Sequence, residues 1–344
     1  MSARARLVAV LVVIALLVGA TAAYLLAARA TQQRLLVRTA PAQQAVPVSE
    51  VRSAPHIVFR HTAAGAHRDG VALVPLADPG GQRAFSGLTC ERVYAAGPRT
   101  LCLAPSPGIA SVYRAQVRTE GGAEAALTLT GTPSRARLSA DGGLAATTSF
   151  VSGDSYAADG FSTRTVVTPL SAGDPVHAGT AIDLESFRLV HRGAAIRPAD
   201  RNYWGVTFAA DHDRFFVTVA FGGQTWLARG SLTSRTLTTL RADAECPSLS
   251  PDGRRVAYKK QEDRIPGDWR LAVLDLASGK ETMLAEDRSV DDQVEWLDND
   301  QLLYAVPRAG SAGVLGSDVW RLPADGTGAP SILIEDAASP AVQR

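Results

Sequence analysis

The sequence predicts an all-β chain, a six-bladed β-propeller, preceded by one N-terminal transmembrane helix. Three observations lead there. An uncharged apolar run lies near the N-terminus, short strand-like segments separated by Gly, Pro, Asp and Ser turns fill the rest, and one strand–turn–strand unit recurs at nearly regular spacing.

Arg4 and Arg6 precede an uncharged stretch over 7–28 that is rich in Leu, Val, Ala and Ile. About 20 apolar residues cross a bilayer core, and positive charge before such a span holds that end in the cytoplasm. Residues 1–6 are therefore expected to be a cytoplasmic stub and 7–28 the membrane helix. The remainder is expected outside the cytoplasm, at the cell membrane. The run exceeds the roughly 7–15 apolar residues of a signal-peptide core. Small residues at Ala22, Ala23, Ala28 and Ala30 leave secretion after cleavage as the alternative. Residues 29–53 carry Gln, Pro, Ala and Ser without an apolar period and read as a stalk. Residues 54–344 are then the propeller.

Composition narrows the function. With 46% hydrophobic and 20% charged residues the chain has material for a core and is not disordered. A net charge of +1, with no basic run beyond the N-terminus, removes the electrostatic basis for binding nucleic acid.

Val112–Val117, Ala126–Thr130, Phe215–Phe221, Val256–Lys260 and Leu271–Leu276 read as strands, and no segment after residue 30 reads as a long amphipathic helix. That excludes α/β folds and leaves a sandwich, barrel or propeller. Repetition selects the propeller. The clearest unit opens with Cys246-Pro-Ser-Leu-Ser-Pro-Asp-Gly-Arg-Arg-Val-Ala-Tyr258, followed by strands over 269–276 and 282–285. Echoes begin at Leu138, Phe208, Trp296 and, more weakly, Tyr94. Positions 94, 138, 208, 249 and 296 are spaced by 44, 70, 41 and 47 residues, and a four-stranded blade takes about 40–45. The long interval is expected to hold an enlarged loop around Ser171–Thr180 in an otherwise normal blade. Asp141-Gly142 and Asp252-Gly253 suit the tight reversals and are read as structural.

The Leu249-Ser-Pro-Asp-Gly-Arg-Arg-Val-Ala257 stretch resembles the WD40-like repeat of TolB-type propellers, a repeat shared by the propellers of prolyl-oligopeptidase-like proteins. The resemblance covers about residues 54–344 and implies a binding role at the cell envelope. Where that family has a helical N-terminal domain, this chain has the apolar span and the stalk.

The first unit, beginning at His56–Thr62, lacks an opening strand, whereas Ala338-Ser-Pro-Ala-Val342 is similar to Glu245-Cys-Pro-Ser-Leu249, which is one. The C-terminal strand is therefore expected to complete the first blade, leaving no free edge. Five turn-bearing units and this composite make six blades.

Cys90 and Cys102 flank a hairpin that turns near residue 96, so they are expected to face each other across two strands and form a disulfide outside the cytoplasm. Cys246 is left over and expected to be buried.

Catalytic signatures are weak. There is no Gly-x-Ser-x-Gly nucleophile elbow. The six His residues (56, 61, 67, 177, 191, 212) include no His-x-His pair, so no metal and no cofactor are expected. Asp298-Asn-Asp300 starts like a calcium loop but lacks its Gly and distant Glu. Trp204, Trp226, Trp269, Trp296 and Trp320 fall in different units and suit packing between blades.

The loops joining second and third strands emerge on one face of a propeller. Here they are long and varied, at 67–69, 152–160, 261–268 and 307–317, and loops on a rigid scaffold are where recognition tends to reside. Asp154, Tyr156, Arg264, Asp268 and Arg308 on this face are the candidate binding residues. The expected function is a membrane-anchored scaffold module, not an enzyme, contacting an envelope protein or cell-wall component. The alternative is a lactonase- or lyase-like enzyme with its site in the central channel.

Overall fold

A computed structural model describes residues 11–24, 27, 45–106, 112–151, 162–173, 176–309 and 315–344. Six antiparallel sheets form the blades. From the innermost strand outward, blade 1 is Ala337–Gln343, His56–His61, Gly70–Pro75 and Ala84–Thr89. Blade 2 is Arg92–Ala96, Arg99–Pro105, Tyr113–Thr119 and Glu124–Leu127; blade 3 is Thr132–Leu138, Leu144–Val151, Ser162–Pro169 and Ile182–Asp183. Blade 4 begins with Asn202–Phe208, Arg214–Phe221, Gln224–Ser231 and Thr236–Ala242. Blade 5 is Glu245–Leu249, Arg255–Lys260, Arg270–Asp275 and Glu281–Met283; blade 6 is Glu295–Trp296, Gln301–Ala309, Leu315–Pro323 and Ser331–Ile334. Each innermost strand touches the next around a closed ring.

Middle strands are covered on both faces and read as apolar runs rather than alternations. Val71–Val74 and Leu271–Leu274 are buried at every position. Six apolar clusters result, one at each seam between neighbouring blades.

The ring closes as expected. Ala337–Gln343 runs antiparallel to His56–His61, with Val342 opposite Ile57 and Ala338 opposite Arg60. Polar groups fasten this seam. Thr62 Oγ1 donates to the Ser317 carbonyl and accepts from the Ser317 N–H, both at 3.0 Å. Arg83 donates to the carbonyls of Glu335 and Asp336 and to His61 Nδ1. His61 is 2% exposed, and burial first, then the charge of Arg83, depresses its pKa from 6.5 to about 4.

The 70-residue interval departs from the expected single loop. A 3₁₀ turn at Leu184–Ser186 leads into a hairpin, Arg188–His191 and Ala194–Ile196, whose first strand pairs parallel to Thr236–Ala242. Blade 4 thus has six strands. Phe187 and Leu189 are buried with Leu237, which covers an edge that would otherwise be exposed.

Part of the segment read as a stalk packs on the blades. Ala45 bridges to Arg83, and in the single-turn helix Val48–Arg52, Val51 is buried in the seam between blades 1 and 2. Farther upstream, residues 11–24 are helical. Among the described residues no helix is long and apolar enough to cross a membrane. Residues 7–10, 25, 26 and 28 of the expected span lie outside the described set.

Cys90 and Cys102 form a disulfide with Cα atoms 5.5 Å apart. The expected geometry was a directly opposed pair. The hairpin instead turns at Gly97-Pro98, which sets Cys102 opposite Val93 and leaves Cys90 in the link from blade 1. The bond therefore ties blade 2 to the preceding link.

Two outcomes follow. The Cys90→Ala/Cys102→Ala double variant loses about 2–4 kcal/mol of unfolding free energy by urea denaturation; an unchanged midpoint would contradict this. For His61, the folded pKa lies below the unfolded one, so its contribution is complete above pH 6.5. It declines as pH falls toward 4, because the unfolded chain takes up a proton that folded His61 refuses. The stability lost over that window, on the order of 2 kcal/mol, shrinks in His61→Gln, and urea midpoints at pH 7, 5.5 and 4.5 measure the slope.

Candidate functional site

Alternation of strand direction divides the propeller into two faces. Turns between first and second strands, and between third and fourth, lie on one (the turn face). Loops between second and third strands, with the links from blade to blade, lie on the other (the link face). The turn face opens into a basin of about 960 Å³, lined where the innermost strands of blades 2 to 6 meet their turns.

The turns forming its rim are held by their own side chains. Ser139 Oγ donates to Asp141 Oδ1 at 2.7 Å, and Asp141 Oδ1 accepts from the Gly143 N–H at 3.0 Å. Ser250 and Asp252 repeat the pattern, at 2.5 Å between the side chains and 3.1 Å from the Arg254 N–H. At Asp211 partial burial works upward on the pKa, but hydrogen bonds from Arg214 and two backbone N–H groups outweigh it and hold the carboxyl at about 2. These Asp residues are turn caps, as their residue type suggested. Between blades 4 and 5 the basin extends as a cleft bordered by Phe208, Arg229, Leu240 and Arg254. Leu240 is 43% exposed. Arg229 and Arg254 are exposed and form no ion pair among the described residues.

The floor is a buried polar network. Arg137 and Glu295, 5% and 6% exposed, form an ion pair. Arg137 also donates to Ser248 Oγ at 3.2 Å and to the Val294 carbonyl at 3.0 Å, with its guanidinium 4.5 Å from the Tyr94 ring centroid. Tyr94 Oη donates to Glu295 at 3.1 Å. Burial first, together with the Glu295 charge, pushes the Tyr94 pKa up, so its hydroxyl stays protonated.

Beyond this floor, toward the link face, lies a second chamber of about 30 Å³, lined by Arg92, Arg135, Arg137, Asp292, Gln293 and Ser339 among others. Its walls are bulged inner strands. Cys246 and Ser339 each hold a positive φ immediately before a proline, and Gly205, before Val206, holds one at the corresponding bulge of blade 4. A Cβ on Gly205 would lie 2.8 Å from Cys246 Cα, so only glycine permits that approach. Cys246 is buried, as expected, and its sulfur accepts from Arg135 Nε at 3.4 Å.

The described sequence-derived candidates, Arg264, Asp268 and Arg308, lie on the link face. Arg264 pairs with Asp268 at 2.9 Å and donates to the Asp287 carbonyl at 3.1 Å, which pins its loop to the link toward blade 6. Arg308 pairs with Asp318 at 2.7 Å and with Asp336, at the seam between blades 6 and 1. Thus Arg264 and Asp268 come together, and Arg308 belongs to a separate cluster. Asp154 and Tyr156 lie outside the described residues. Among the described residues no three His, Cys, Asp or Glu side chains are grouped to hold a metal. Trp296 packs between blades 5 and 6 and donates from Nε1 to the Ser248 carbonyl at 2.9 Å.

The floor residues Arg137 and Glu295 were not anticipated, though a signal existed. One place before the aligned apolar positions 138, 208, 249 and 296 stand Arg137, Thr207, Ser248 and Glu295, a polar residue in four successive repeats.

No protein-family model and no curated protein matches the sequence. Solved structures do match. TolB from Acinetobacter baumannii superposes with a TM-score of 0.58 at 15% identity, over 84% of this chain and 67% of that one. A chain from the nidogen/laminin complex gives 0.53 at 10% identity, over 84% of this chain and 98% of that one. At such identities the likeness concerns the fold, which is that of a TolB-like propeller.

Glu295→Gln leaves Arg137 buried without its counter-charge and costs about 3–5 kcal/mol in unfolding free energy. Arg137→Met/Glu295→Leu, which removes both charges, costs less than Glu295→Gln alone. Equal losses in the two variants would show that the ion pair does not set the cost.

Proposed function

We propose that this chain is a membrane-tethered, extracytoplasmic binding module that engages an anionic envelope component, protein or polymer, at the turn face. The basin of about 960 Å³ carries the reading. It is broad, built on strand ends of five blades, and mixes apolar surface at Phe208 and Leu240 with Arg229 and Arg254, which form no ion pair among the described residues. Binding surfaces commonly combine such apolar anchors with Arg. The described candidates on the link face, by contrast, are engaged with their own chain.

Tethering and export rest on Arg4 and Arg6 before the apolar stretch 7–28, and the Cys90–Cys102 bond suits an oxidising compartment. Channel chemistry of a lactonase or lyase kind would need a free reacting group at the floor. There the Glu295 carboxylate is taken up by Arg137, Tyr94 and the Val342 N–H.

Photo-crosslinking in cells tests the assignment. A crosslinking amino acid at Leu240 or Arg254 captures a discrete envelope species, and the same group at Arg264 captures none. Substituting Arg229→Glu reduces the yield from position 240 by about tenfold, the size of a lost interfacial charge contact of roughly 1.4 kcal/mol. Capture from position 264 alone would overturn the turn-face reading.

A further inference from the structure

The second chamber of the channel has a size and a lining that the proposed binding role does not use. Its volume of about 30 Å³ holds one or two water molecules, or one ion of halide size. Three arginines line it, Arg92, Arg135 and Arg137. Two of them are answered by carboxylates: Arg137 by Glu295, and Arg135 by Asp291 at 3.0 Å. Arg92 is not. Its donors reach only backbone carbonyls, Ser134 at 2.8 Å and Glu91 at 3.4 Å, and it forms no ion pair among the described residues. Arg137 adds a buried Nε that has no acceptor.

One carboxylate, Asp292, also borders the chamber. Its oxygens are occupied by the N–H groups of Gln293 at 2.9 Å and Ala305 at 3.0 Å. Its attraction does not offset what Arg92 loses: burial first, then the like charge of Arg135, leaves the Arg92 pKa below its ordinary value. Arg92 is half-buried; charges withdrawn from water ordinarily find a counter-charge, and the space beside Arg92 has the volume of a small ion.

We propose that this chamber is a binding site for a single halide-sized anion, chloride in a physiological setting, held by Arg92, Arg135 and Arg137. The anion supplies the counter-charge that Arg92 lacks and joins the inner strands of blades 2 and 3. A carboxylate-bearing anion such as gluconate is too large to enter.

Thermal unfolding of the full chain at constant ionic strength tests this. Replacing sodium gluconate by sodium chloride or bromide raises Tm by about 2–4 °C when the halide is near ten times its Kd. Arg92→Gln abolishes the rise, and Arg321→Gln, at an exposed site, keeps it. Crystals of the wild-type chain grown in bromide show an anomalous peak among the three guanidinium groups, a result that stands even if Arg92→Gln fails to fold. Equal Tm in gluconate and bromide, or an empty chamber in the bromide crystals, overturns the proposal.

Discussion

A ring of sheets exists only if its last sheet packs on its first, and here that contact depends on one antiparallel pairing, Ala337–Gln343 with His56–His61. Without it, blade 1 would lack its innermost strand, and the seams on either side would open to water. Buried there are Ile57, Phe59, Ala72 and Val74, together with Leu303 and Val319 of blade 6. The fastening is unusually polar for so apolar a seam. Thr62 and Ser317 exchange hydrogen bonds, and Arg308 is clamped to Asp318 and Asp336. Directional bonds select one register, which apolar packing between similar blades does less well. A ring of near-repeats is open to slipping by one unit, and these directional contacts at the closing seam oppose that.

Closure also dictates the channel. Six innermost strands converge on one axis, so their inward side chains meet whether or not they attract. Bulges at Gly205, Cys246 and Ser339 interrupt these strands. The channel holds a small chamber toward the link face and a broad basin at the turn face. The Arg137–Glu295 pair sits between the two regimes, closing the basin with a layer whose charges are mutually satisfied. Buried ion pairs add little net stability, because desolvation consumes most of the Coulomb gain. This one fixes how blades 3 and 6 face each other across the axis, a relation that no direct strand pairing enforces.

How much of this was legible depends on whether the determining forces are local. Blade number and closure were, because turns such as Ser139–Gly142 and Ser250–Gly253 write their geometry in adjacent residues. The similarity of 338–342 to 245–249 likewise reflects a shared bulge before proline. The Cys90–Cys102 bond was found although its register was misjudged, since a shift of the turn by one or two residues changes which residues oppose each other but not which cysteines are near. The outer hairpin of blade 4 was missed. Strands of three or four residues carry too few side chains to show a period, and Arg188–His191 finds its parallel partner almost fifty residues downstream. The floor residues were missed for a related reason. Loop length is visible in a sequence, whereas the convergence of Arg137 and Glu295, 158 residues apart, requires the ring to be built.

The two faces therefore differ in how freely they can change. On the link face, long side chains such as Arg264 and Arg308 reach beyond their own loops and fasten them to neighbouring segments, so replacing them disturbs the links themselves. On the turn face, Ser and Asp within each turn satisfy the backbone locally, so the turn keeps its shape whatever its outward neighbours are. Residues such as Arg254 and Ala140 consequently border the basin without structural duties of their own. A scaffold whose turns are supported locally tolerates change on this rim one side chain at a time, because substitutions there leave both the caps and the axial ion pair in place.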